Sequence, residues 1–328
     1  MTTNLALSML IWLATTAIAG ADTPSLTPQT PIALSGASGK FDYLVADNPN
    51  HRIFGSHPGA KGVVIIDTAA GTASSLDLGV VVNGVAVARR AGKVYFAGGG
   101  KEILAYDLKT LQKVSEIDLD SPADDISLDP SSGMLYVDQD DGDHLWVVDT
   151  KTDKIVGTVP IGGAPEFLVY DKSTDKLYQN IKSTNSVQVI DPASNTVVET
   201  WPTAPATAPH GLAVDVKGGR LFSAGRNGQL VEIDLKTGKV MASTEIAPGV
   251  DQIAYDSKAK RVYCAGAGII SVVEADDDDF KLLDKIQAGG SAHTLAVDSS
   301  TGNVWVAYAD ADKSYVQCLK ATGQREAD

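Results

Sequence analysis

Asp171-Lys-Ser-Thr-Asp-Lys-Leu-Tyr178-Gln-Asn-Ile-Lys-Ser-Thr-Asn-Ser-Val-Gln-Val-Ile-Asp191-Pro-Ala-Ser-Asn-Thr-Val-Val-Glu-Thr200 holds three short strand-like runs separated by polar turns. The first turn uses Lys, Ser, Thr and Asp, residues that close a hairpin, and Tyr178 follows seven positions after the leading acid. The middle run, Val187-Gln-Val-Ile-Asp191, ends in an acid. A Pro-Ala-Ser-Asn turn then leads to a β-branched run from Thr196. With the apolar run that ends at Asp171, the unit has four strands.

The same plan recurs along the chain. Strand-end anchors fall at Asp47, Ala88, Asp129, Asp171, Asp215, Asp256 and Asp298, spaced by 41, 41, 42, 44, 41 and 42 residues. Seven positions after each stands an aromatic: Phe54, Tyr95, Tyr136, Tyr178, Phe222, Tyr263 and Trp305. Only 6% of the chain is aromatic, so seven matches in seven are not coincidence. Third runs closing on an acid recur at Asp67, Asp107, Asp149, Asp191 and Asp234.

Four short strands per repeat of this length are the signature of a propeller blade. The spacing therefore predicts an all-β fold over residues 22–328, a seven-bladed β-propeller of four-stranded antiparallel blades. Helix is expected to be marginal, because no stretch keeps a 3.6-residue period. The seventh unit stops after its third strand, near Lys320. The segment Pro31-Ile-Ala-Leu-Ser35 is expected to supply the missing strand, closing the last blade and removing two exposed sheet edges.

Residues 1–21 read as an export signal. Leu5 to Ala19 is an uncharged apolar run too short to cross a bilayer comfortably, and small-residue cleavage patterns follow, with cleavage expected before Asp22. No Lys or Arg precedes Lys40, so a retained anchor is the alternative. No second long apolar stretch follows, and a periplasmic or secreted monomer is expected. Apolar residues make up 44% and charged residues 21%, a composition that supports a packed core and excludes disorder. The net charge of −14 argues against nucleic acid as a partner, since binding phosphate needs clustered Lys and Arg. Two cysteines, Cys264 and Cys318, make no metal or redox motif; whether they pair depends on their separation.

The copies Leu177 to Asp191, Asn195 to Thr200 and Val159-Pro-Ile-Gly-Gly-Ala-Pro165 resemble the YVTN-type β-propeller repeats of the YncE-like periplasmic proteins. The resemblance covers residues 31–320. It implies the propeller fold and export, and it assigns no reaction. Ala88 and Lys320 depart from it by replacing acids, and Glu274-Ala-Asp-Asp-Asp-Asp279 stands where a short turn is expected.

Propellers bind ligands at the mouth of the central channel. Five residues before the anchors stand Asp42, Asn83, Asp124, Glu166, His210, Asp251 and His293, all polar. Three residues before the anchors every side chain is aliphatic, from Leu44 to Leu295. That pattern predicts a polar ring above an apolar layer. His210, His293, Glu166, Asp251, Asp124 and Asp42 are candidate ligands for one divalent metal ion, and Asn83 is a candidate ligand-binding residue. His210, His293 and Glu166 are the candidate catalytic groups. The competing expectation is a solvated channel rim with no ligand.

His51, His57 and His144 are expected to be solvated or locally hydrogen-bonded. Asp138-Gln-Asp-Asp-Gly-Asp143 lacks EF-hand spacing and is expected to be a solvated hairpin loop. No hydrolase elbow, phosphate loop, dinucleotide fingerprint or His-Glu-x-x-His motif occurs. Trp146, Trp201 and Trp305 sit at unlike repeat positions, which argues against a quinone-cofactor propeller.

Three functional readings follow. The first is a cell-envelope protein that binds a small molecule or a protein partner at the channel mouth. The second is a metal-assisted hydrolase, lyase or isomerase, lactonase-like, at the same mouth. The third is a structural module whose loops dock an envelope partner.

Overall fold

The computed structural model describes residues 24–36, 38–276 and 279–322. The predicted signal segment, residues 1–21, lies outside them, as do Asp277 and Asp278 of the acidic turn and the residues beyond 322. The described chain is a ring of seven antiparallel sheets covering residues 44–77, 84–118, 123–160, 165–202, 209–245, 250–287 and 294–321, here blades 1 to 7. Its helical content among the described residues is three single 3-10 turns, Asn48–Asn50, Pro58–Ala60 and Arg89–Ala91.

The repeat works by capping and wedging. Each anchor acid is buried and accepts hydrogen bonds from the turn that follows, as Asp129 does from the Ser131 amide at 2.7 Å and Asp171 from the Ser173 amide at 2.9 Å. Those amides have no ladder partner, so the carboxylate satisfies them where water is scarce. Blade 2 lacks the acid: after Ala88 the chain turns through Arg89–Ala91 with no side-chain cap. The seven aromatics are all buried and wedge between neighbouring blades. Tyr178 packs on Leu212, Leu221 and Val231 of blade 5, and Phe222 on Ile253 and Val262 of blade 6. The apolar core is thus seven clusters, each shared by two adjacent blades.

Blade 7 closes as expected, with a longer strap than the sequence indicated. Two pieces, Leu26–Pro28 and Ile32–Ala33, run antiparallel to the strand Lys313–Ala321, pairing Leu26 with Ala321 and Ile32 with Val316. Pro31 has no amide to donate and interrupts the strap. The amides of Gln29 and Leu34 continue the ladder to Cys318 and Ser314, each at 2.8 Å.

Candidate functional site

The site is made by a bulge at the start of the innermost strands. In blades 3, 4 and 5, pairing with the second strand skips from Ala123 to Ile126, from Pro165 to Leu168 and from Pro209 to Leu212. Two consecutive residues in each strand therefore leave the ladder, and the alternation of faces is broken there. The backbone groups released by the bulge are taken up by side chains of the second strands. Gln179 Nε2 donates to the Glu166 carbonyl at 2.7 Å and Asn180 Nδ2 to the His210 carbonyl at 2.7 Å, while Asp138 Oδ1 accepts the Asp125 amide at 2.6 Å.

The residues four before the anchors reach the channel. Tyr43 of blade 1 and Phe167 of blade 4 meet with ring centroids 5.4 Å apart, although their blades are not neighbours. Gln252 of blade 6 spans to blade 1, accepting the Leu44 amide at 3.1 Å and donating to its carbonyl at 2.9 Å. Gly84 holds the same position in blade 2 because a Cβ there would lie 2.3 Å from the Asp124 carbonyl oxygen. This plug separates the polar ring from a cavity of about 540 Å³ at the opposite end, walled by Val45, Val87, Leu128, Ala254 and Val297.

Above the plug the predicted ring residues gather unequally. Asp42, Asp251 and His293 bring ligand atoms within 4.8 Å of one another, and so do Glu166, His210 and Asp251. Asp251 belongs to both triads. Asp124 and Asn83 belong to neither: Asp124 meets the Tyr43 hydroxyl at 3.4 Å, and Asn83 donates to the Ala123 carbonyl at 3.2 Å. Two cations that the sequence reading missed complete the rim. Arg226 bonds Asp251 at 3.0 Å, and Lys182 bridges Glu166 and Asp141.

The two imidazoles are not equivalent. His210 rests Nδ1 on the Ala208 carbonyl at 2.8 Å, which leaves Nε2 facing Glu166 Oε1 at 3.3 Å. A ring held this way presents a lone pair or a proton to the ring centre. His293 has a carbonyl against each nitrogen, Ser291 at 2.8 Å and Phe41 at 2.9 Å, and only the imidazolium donates to both. Ligation by its Nε2 requires release of the Phe41 carbonyl.

One further expectation is corrected and two open points are filled in. Asp138 is fully buried within the bulge network, so the acidic loop is solvated only beyond it. His57 is buried and stacked on Phe41 at 3.9 Å, between the Gly39 carbonyl and the Ser314 hydroxyl. The cysteines are unpaired, Cys264 in the cluster between blades 5 and 6 and Cys318 beside the one between blades 7 and 1.

Acid density dominates the electrostatics. Burial, and the charges of Asp251 and Glu166, push Asp42 up to about 6 against the opposing pull of Lys40 and His293. Burial raises Asp125 to about 8 in spite of backbone hydrogen bonds, and burial with neighbouring acids raises Asp124 and Asp138 well above the carboxylate range. Protons held more tightly in the folded state stabilise it at low pH. The contribution is complete below the unfolded value near 4 and is lost as pH rises through about 6 for Asp42 and about 8 for Asp125. The melting temperature of the metal-free chain is therefore expected to fall between pH 5 and 8.5. Asp42→Asn should remove the lower part of that slope, a contribution on the order of 2 kcal/mol. A flat or rising profile by calorimetry contradicts this electrostatic picture.

No protein-family model matches the chain, and no curated protein sequence matches it. Solved structures do. A chain in a crystal structure of the mitotic checkpoint complex aligns with a TM-score of 0.79 over 98% of this chain and 99% of its own length, at 14% identity. This chain therefore has the seven-bladed β-propeller fold. With 1789 matching chains and identity this low, the likeness establishes architecture and leaves activity to the site itself.

Proposed function

We propose that the chain is an exported cell-envelope β-propeller that binds a small ligand at the upper mouth of its channel, and that the ligand is a divalent metal ion centred on Asp251. The observation that carries this reading is the sharing of Asp251 by two three-residue groups over a plugged floor. Mixed imidazole and carboxylate donors suit Zn²⁺ first, and the oxygen-rich side with Asp42 suits Mn²⁺ or Ca²⁺. The raised carboxyl of Asp42 strengthens the case, because a bound cation replaces a proton held there by burial and by neighbouring acids. A recessed site favours a small ligand over a protein partner. Export is supported by the apolar run Leu5 to Ala19 and by the YVTN-type repeat, and no described helix is long and apolar enough to cross a membrane.

The test is calorimetric titration of chelator-treated protein with Zn²⁺. One equivalent is expected to bind at pH 7.5, at least tenfold more weakly at pH 5.5. Absence of binding at both pH values removes the reading.

One observation favours a second reading, a metal-assisted hydrolase, lyase or isomerase: the His210–Glu166 pair is arranged to accept and return a proton. It requires turnover of lactone, ester or uronate-like substrates that His210→Ala abolishes with the melting temperature changed by only a few degrees. Unchanged turnover in that variant excludes it.

A further inference from the structure

The anchor position departs from the repeat once, and the departure coincides with a pocket. Six blades end the innermost strand in Asp; blade 2 ends it in Ala88, followed by Arg89 and Arg90. Relative to the other turns, one negative charge is removed and arginines occupy the next two positions. At this point on the lower face, between blades 2 and 3, lies a pocket of about 380 Å³. Its apolar part is Val87, Ala91, Leu128 and Pro130, and Arg89, Arg90 and Lys151 line it as well.

The cations differ in how far they are committed. Arg89 is paired with Asp47 at 2.6 Å. Arg90 donates to the Pro130 carbonyl at 2.6 Å, and among the described residues no carboxylate is paired with it or with the Lys151 ammonium. The acids nearby are engaged elsewhere, Asp129 by Ser131 and Ser132, and Asp153 by Lys93, Tyr95 and Ser115. A chain of net charge −14 thus places two cations without an ion-pair partner at one small concave surface. Its volume lies within the range of small-molecule sites, roughly 300–1,000 Å³. Guanidinium and ammonium donors beside an apolar floor recognise phosphate or carboxylate on an apolar body.

We infer that this pocket binds a small organic anion, a phosphate monoester or carboxylate carried on an apolar group, independently of the cation site at the other end of the channel. The anionic head lies between Arg90 and Lys151, and the apolar body covers Val87, Ala91 and Leu128.

Phenyl phosphate, inorganic phosphate and benzyltrimethylammonium, titrated by calorimetry at low salt, test it. Phenyl phosphate is expected to bind one to one, at least tenfold more tightly than either of the others. Arg90→Glu/Lys151→Glu, both at exposed positions, should weaken it at least tenfold with the urea midpoint unchanged. Ala88→Asp, which restores the carboxylate of the other six blades, should do the same. Should that variant misfold, the double variant decides. Asp251→Asn should leave phenyl phosphate binding unaltered. No binding of phenyl phosphate, equal affinity in the double variant, or equal affinity for the ammonium probe overturns the inference. Inorganic phosphate binding as tightly as phenyl phosphate overturns the role given to the apolar floor.

Discussion

A chain lacking residues 24–34 is expected to lose cooperative folding altogether. The strap pairs along the strand Lys313–Ala321 and seats side chains in the clusters on both sides of blade 7. Leu26, fully buried, joins the cluster between blades 6 and 7, while Ile32 and Leu34 pack against the one between blades 7 and 1. Without it the ring is open, blade 7 has three strands, and an edge is exposed to pairing with other chains. Because no cluster belongs to a single blade, damage at the seam is not confined to it. The loss is set against a total stability of typically about 5–15 kcal/mol. Far-UV circular dichroism and urea unfolding decide the matter: a sharp transition near the full-length midpoint would show that the strap is dispensable. Leu26→Ala gives the graded version, with about 2–5 kcal/mol lost in a chain that still folds.

Asp251→Asn is expected to lower divalent cation affinity at least a hundredfold while leaving stability almost unchanged. It alone belongs to both triads, so its substitution removes a charged ligand from either arrangement. Its ion pair with Arg226 is half in solvent, and pairs of that kind contribute about 0–1 kcal/mol. His210→Ala should cost at least tenfold, since its Nε2 already faces the ring. His293→Ala should cost less than tenfold, because both nitrogens are held by carbonyls. Equal effects of the two histidine variants in a Zn²⁺ titration would contradict the distinction drawn between them.

The fold was legible because propeller blades repeat the same physical solution. A buried acid caps each turn and an aromatic wedges into the next blade, so anchors such as Asp129 and aromatics such as Tyr136 recur at fixed spacing whatever the function. The ring of polar residues was legible for the same reason, being defined by its offset from those anchors. The plug was not. Strand alternation places Asp125, Phe167 and Gln252 on the face opposite Asp124, Glu166 and Asp251, and only the bulge turns both sets to the axis. A bulge leaves no residue signature beyond the glycine at position 211. Asp138 was misread because it stands in an acidic run whose remaining members are not buried; its burial depends on the Asp125 amide that the bulge releases. Lys182 and Arg226 come from loops after the second strands, where the repeat imposes no pattern.

The most direct measurement is anomalous diffraction from crystals of the chelator-treated protein soaked in Zn²⁺. A single strong peak is expected within about 2.0–2.2 Å of an Asp251 carboxylate oxygen, with His210 Nε2 or Asp42 completing the contact. A peak confined to surface acids, or none above the plug formed by Tyr43 and Phe167, would contradict a cation site at the upper mouth.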